Sequence, residues 1–186
     1  TDIGYASGIG NNMVIADGGR VIDLGNDCIG YHATPTSGIV VVTGSGSLWS
    51  NVNLIVGLWG GQYNSLNIAA AGTVMDSGMV QIGGNGAYFG SNNTVMVTDT
   101  GSVWQIGGGT WLGYGDGNQI VISNGAVLLS SGMTVGMLPA SESNSLTIVQ
   151  GGGVTNIGTL AINAANAVNV YSGGRLTTTT LTMQPG

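Results

Sequence analysis

Asn144-Ser145-Leu146-Thr147-Ile148, followed six residues after its Ile by Val154, is one copy of a unit that recurs seven times. The apolar residue that ends the unit's first strand is Ile15, Val42, Ile68, Val97, Ile122, Ile148 or Val170. Successive anchors lie 27, 26, 29, 25, 26 and 22 residues apart. Two residues before each stands another apolar residue: Met13, Val40, Leu66, Val95, Ile120, Leu146 and Val168. A spacing of two puts both on one face of a strand. A third apolar column follows six residues after the anchor, at Val21, Leu48, Val74, Val103, Val154 and Leu176, with Val127 one place out of step. Gly-rich turns such as Asp17-Gly18-Gly19-Arg20 and Gly44-Ser45-Gly46-Ser47 lie in between. A third strand ends in an apolar residue plus Gly at Ile29-Gly30, Val56-Gly57, Phe89-Gly90, Leu112-Gly113 and Val135-Gly136.

Two further columns set the register. Four residues before each anchor stand Asn11, Gly38, Asn64, Asn93, Asn118, Asn144 and Asn166. The Gly column (Gly30, Gly57, Gly113, Gly136) becomes Asn163 in the sixth copy. Asn and Gly enter left-handed backbone most readily, so these columns read as corners with positive φ. The Asn column has a second reading, a ladder of amides hydrogen-bonded from coil to coil.

Three short strands in a repeat of about 26 residues are too few residues for a propeller blade, which needs ~40–50. The repeat predicts an all-β parallel β-helix of about seven coils, near 11–36, 37–62, 63–91, 92–117, 118–143, 144–165 and 166–186. No coil buries its apolar face alone, so each must stack on the next. At ~4.8 Å per coil the rod is on the order of 34 Å long. Ile3-Gly4-Tyr5 matches Ile29-Gly30-Tyr31, so the chain opens inside a coil, as expected of a single β-helix segment from a longer chain or fibre. Neither end carries a charged or helical cap, and open strand edges invite pairing with other chains.

Composition narrows the partners. Only 5% of residues are charged, Arg20 and Arg175 are the only Lys or Arg, and the net charge is −6. This argues against phosphate-mediated nucleic-acid binding and against a basic membrane patch. The chain has no apolar run of membrane-spanning length. Its single cysteine, Cys28, cannot form an intrachain disulfide and reads as a small position beside Ile29. A chain without Lys and rich in Gly, Asn, Ser and Thr suits a secreted, protease-exposed surface protein.

Candidate chemistry is sparse. Glycoside hydrolysis needs two carboxylates about 5–10 Å apart. Asp23 and Asp76 share a column two coils apart with Ser50 between, and Asp23 with Asp27 is the best cluster. Asp17 and Asp99 sit in turns, where Asp is an ordinary turn former. His32 is alone in the Pro-containing loop 32–36. Gly115-Asp116-Gly117-Asn118 is the one loop suited to a cation. These residues give no catalytic, cofactor or metal site.

The aromatics say more. Trp49 and Trp104 share a repeat position, as do Tyr88 and Trp111, the latter facing opposite to Phe89 and Leu112. Outward rings of this kind stack on one another or contact a sugar or protein surface. A second outward column, Val14, Val41, Met96 and Val121, is apolar in four coils.

The units Val42-Thr43-Gly44-Ser45-Gly46-Ser47-Leu48-Trp49-Ser50 and Asn144-Ser145-Leu146-Thr147-Ile148, with Leu54-Ile55-Val56-Gly57, resemble the repeats of bacterial autotransporter-type passengers, in particular autotransporter-associated β-strand repeats. The resemblance covers nearly the whole chain. It implies a right-handed, exported β-helix serving as a stalk or adhesive surface, outside the cell or on its surface. The expected partners are copies of itself, the rest of a longer chain, glycans or a host surface. Two alternatives stand beside it: a fibre subunit stacking end to end, and a polysaccharide-degrading or glycan-binding β-helix.

Overall fold

A computed structural model describes residues 1–5, 10–32, 37–86 and 88–184. Among these there is no helix, and so none long and apolar enough to cross a membrane. The chain winds as a parallel β-solenoid. The first strands of the coils form one seven-stranded sheet: Asn12–Ile15, Ile39–Thr43, Ser65–Ala69, Thr94–Val97, Gln119–Ile122, Ser145–Ile148 and Ala167–Val170. Seven such strands make six turns from first to last. Every neighbouring pair is parallel and in unbroken register, for example Val95 with Leu66 on one side and Ile120 on the other. The remaining eleven strands form the second sheet. Second and third strands are separate in the early coils (Leu48–Asn51, Asn53–Leu58). Later they fuse into long strands, Val103–Leu112, Val127–Val135, Gly153–Ile162 and Arg175–Met183, with a register shift in the middle of each pairing.

Alternation explains the core. Ile68, Val97, Ile122 and Ile148 are buried in one column and Leu66, Val95, Ile120 and Leu146 in the next. Their outward neighbours at Val14 and Met96 are exposed. Val, Ile and Leu at these positions fill a narrow interior that only stacking removes from water.

Turn length sets the third column. In five coils two successive residues take positive φ: Asp17-Gly18, Ala70-Ala71, Asn124-Gly125, Gln150-Gly151 and Ser172-Gly173. The next amide then donates back across the turn, as Gly19 N does to Ala16 O at 2.8 Å and Gly174 N to Tyr171 O at 2.8 Å. Two coils have a longer turn, closed by Ser47 N→Gly44 O and Ser102 N→Asp99 O, both 3.1 Å. The extra residue moves the inward position from six to seven after the anchor. The third column is therefore Val21, Trp49, Val74, Trp104, Leu128, Val154 and Leu176. Leu48, Val103 and Val127, expected there, belong to the adjacent column.

The Asn column is a hydrogen-bonded ladder, and the positive-φ reading of it is overturned. Asn64, Asn93, Asn118 and Asn144 each donate Nδ2 to the Oδ1 of the next, ending at Asn166, at 2.8, 2.9, 3.1 and 2.9 Å. The same Oδ1 atoms accept the backbone N–H of Gly38, Asn64, Asn93, Asn118 and Asn144 at 2.8–3.1 Å. The Gly column does take positive φ, at 77° for Gly30, 84° for Gly57, 92° for Gly113 and 79° for Gly136. The third coil fills this column with Gly83 (φ 88°), not Gly90. Val80–Ile82 pairs with Asn53–Leu58 on one side and Thr110 to Leu112 on the other. Phe89, expected inward, is exposed on an insertion closed by Gly90 N→Gly83 O at 3.0 Å.

Candidate functional site

The two tryptophans expected at the surface lie in the core. Trp49 and Trp104 are both 0% exposed. A buried indole N–H needs an acceptor, and each finds a carboxylate on the preceding coil. Trp49 Nε1 donates to Asp27 Oδ2 at 3.0 Å and Trp104 Nε1 to Asp76 Oδ2 at 2.6 Å. Both arise in the long-turn coils. There Ser47 Oγ and Ser102 Oγ are also hydrogen-bonded, accepting Gly18 N and Ala71 N of the coil before. The long turn, its serine, the inward Trp and an Asp one coil back thus form one structural unit that occurs twice.

The carboxylates are committed to this framework. Burial pushes the Asp76 carboxyl up to about 7, with the Trp104 hydrogen bond opposing it. Burial likewise raises Asp27. Asp23 Oδ1 accepts Gly25 N at 2.8 Å. Asn51, not Ser50, is the in-register neighbour of Asp76. Asp116 Oδ1 accepts Glu142 N at 2.9 Å, and Asn118 belongs to the ladder, so the loop at 115–118 is engaged in coil-to-coil bonds. Cys28 is buried, which pushes its thiol up to about 12 and leaves little reactive thiolate.

Tyr88 and Trp111 do not share a position. Trp111 is the in-register partner of Gln81, half-buried, with its ring edge-on to Tyr114 at 5.9 Å and 68°. Tyr88 is presented by the insertion, where Gly84 (φ 105°) and Gly86 (φ 91°) permit a tight excursion and Gly84 bridges Phe89. Tyr88 ends a different array.

That array is an outward ladder of four rings, Tyr5, Tyr31, Trp59 and Tyr88. Successive centroids lie 5.0, 5.5 and 5.0 Å apart at interplanar angles of 27°, 23° and 27°. Each ring follows the positive-φ glycine at the end of a third strand. Tyr5 and Tyr31 come immediately after Gly4 and Gly30, and are in register. Trp59 comes two residues after Gly57, since Leu58 takes the register position opposite Tyr31. His32 sits beside the ladder, 6.4 Å from Tyr31 and 6.3 Å from Trp59; the rest of the loop expected at 32–36 lies outside the described residues. Exposure is 63% at Tyr5, 39% at Trp59 and 50% at Tyr88, while Tyr31 between Tyr5 and Trp59 is half-buried.

Rings in van der Waals contact lie about 3.5 Å apart plane to plane. Centroid steps of 5.0–5.5 Å exceed that spacing and follow the rise of about 4.8 Å from one coil to the next, so the rings stack loosely and keep part of their surface open. Arg20 and Arg175 lie at the starts of second strands, whereas the ladder follows the third strands, so it carries neither cation.

The ladder was reachable from the sequence. Ile3-Gly4-Tyr5 and Ile29-Gly30-Tyr31 give its first two rungs. Trp59 and Tyr88 stand at different distances from their glycines, and a column of fixed spacing passes them by. No family model, curated protein or solved structure matches this chain.

Proposed function

We propose that this β-solenoid is a non-enzymatic structural and adhesive stalk of an extracellular or bacterial cell-surface protein, and that it makes contact through the outward aromatic ladder. The ladder is the observation that carries this reading. Large aromatic side chains exposed in a contiguous row mark contact surfaces. Of the acids singled out for hydrolysis, Asp27 and Asp76 are buried and bonded to Trp49 and Trp104, which leaves Asp23 as the accessible carboxylate of the three. The resemblance of the repeats to autotransporter-type passengers agrees with an exported stalk. A net charge of −6 with two cations disfavours nucleic acid as the partner.

The experiment is attachment of the purified segment to a panel of cell and matrix surfaces, comparing wild type with a Trp59→Ala/Tyr88→Ala variant. Loss of attachment with unchanged circular dichroism supports the reading. Equal attachment by both proteins removes the ladder from the account.

A further inference from the structure

We infer that the ladder binds a neutral, extended polysaccharide laid along the solenoid axis, about one sugar ring to each coil. This rests on the contact reading proposed above and names its ligand class. Three observations lead to it. The first is spacing. The rungs are 5.0, 5.5 and 5.0 Å apart, close to the length of one pyranose unit in a ribbon-like chain. A periodic polymer can repeat the same contact at Tyr5, Tyr31, Trp59 and Tyr88, whereas a compact ligand reaches one or two rungs.

The second is chemistry. The exposed parts of Tyr5, Trp59 and Tyr88 offer apolar ring surface to sugar C–H groups, and the Tyr side chains carry hydroxyls able to bond sugar hydroxyls. Individually weak contacts in series add through the high effective concentration of the next sugar along the chain. The third is charge. The ladder includes no Lys or Arg, and the chain has net charge −6, so an anionic glycan meets repulsion with no compensating cation. A neutral chain meets none.

The test is affinity electrophoresis of the segment in gels containing a soluble neutral glucan, xylan or mannan, with alginate and polygalacturonate as anionic counterparts. Wild type, Trp59→Ala, Tyr31→Ala and Tyr171→Ala are compared. Tyr171 is exposed but stacks in no ladder, and serves as the control. Circular dichroism establishes that each variant is folded. The proposal expects retardation by at least one neutral polysaccharide and none by the anionic ones. It expects about tenfold weaker binding for Trp59→Ala and Tyr31→Ala, and no change for Tyr171→Ala. Failure of every neutral polysaccharide to retard the wild type overturns it, as does equal retardation of the ladder variants. Preference for the anionic polymers overturns it too. If those failures come with ladder-dependent attachment to cells, the ligand class is wrong and the contact reading stands. If attachment is also indifferent to the ladder, both fall. Ladder-dependent self-association without glycan binding would assign the surface to a second copy of the chain, and also overturns the proposal.

Discussion

Trp59 and Tyr88 stack 5.0 Å apart at 27° although they emerge from turns of unlike length and sequence. One follows Gly57 by two residues; the other hangs on an insertion that begins after Gly83. Two unrelated loops deliver rings to the same line on the rod, and the exposed ladder depends on that convergence.

The four tryptophans should divide by environment. Iodide should quench Trp59 readily, Trp111 partly, and Trp49 and Trp104 hardly at all. Variants that each retain one Trp, the others replaced by Phe, give this directly. Trp59→Ala should cost little stability, since an exposed aromatic pair contributes about 0.5–1.5 kcal/mol.

Trp104→Phe should destabilise by about 1–3 kcal/mol, because it leaves Asp76 Oδ2 buried without its donor. Urea unfolding of Trp104→Phe, Asp76→Asn and the double variant should show strong coupling between the two sites. Independent effects would mean the 2.6 Å contact contributes little.

Asp76 also predicts a pH dependence. Its carboxyl ordinarily titrates at 3.8 and is pushed up to about 7 in the folded chain. The folded state holds this proton more tightly than the unfolded chain does. The stability it confers is complete below the ordinary value and is lost as pH rises through about 7. Asp76→Asn should therefore be more stable than wild type at pH 8 by a few kcal/mol, and the difference should vanish toward pH 4. Urea midpoints across that range check it.

Gly113 and Asn144 test the internal ladder. A Cβ on Gly113 would lie 2.3 Å from Asn144 Cγ, and its φ is 92°. Gly113→Ala should cost ~1–3 kcal/mol from backbone strain alone, with the clash added. Asn144→Ala removes the acceptor of Asn118 N and Nδ2, for about 1–3 kcal/mol at the orphaned amide. Thermal unfolding of the two variants, ranked against Thr147→Ala on the outward face, checks the order.

Much of this was legible in the sequence, because a solenoid repeats its backbone needs at fixed spacing. The Asn column, the Gly column and the alternating strand residues follow from that periodicity. The ambiguity between an Asn corner and an Asn ladder was real, since both put Asn in one column; side-chain geometry decided it. Trp49 and Trp104 were misplaced because a turn one residue longer, Gly44–Ser47 or Asp99–Ser102, looks like any other Gly/Ser turn. Phe89-Gly90 competed with Ile82-Gly83 for the same slot, and only pairing with Val56 and Leu112 chooses Ile82. The outer ladder was hidden because its rungs share a place in space and not a count along the chain.

The most direct measurement is hydroxyl-radical footprinting of the segment free and attached to a surface that retains it. The account predicts protection at Tyr5, Tyr31, Trp59 and Tyr88, with exposed Tyr63 and Tyr171 labelled equally in both states. Protection at Tyr63 or Tyr171 with the four ladder rings still fully labelled would contradict it.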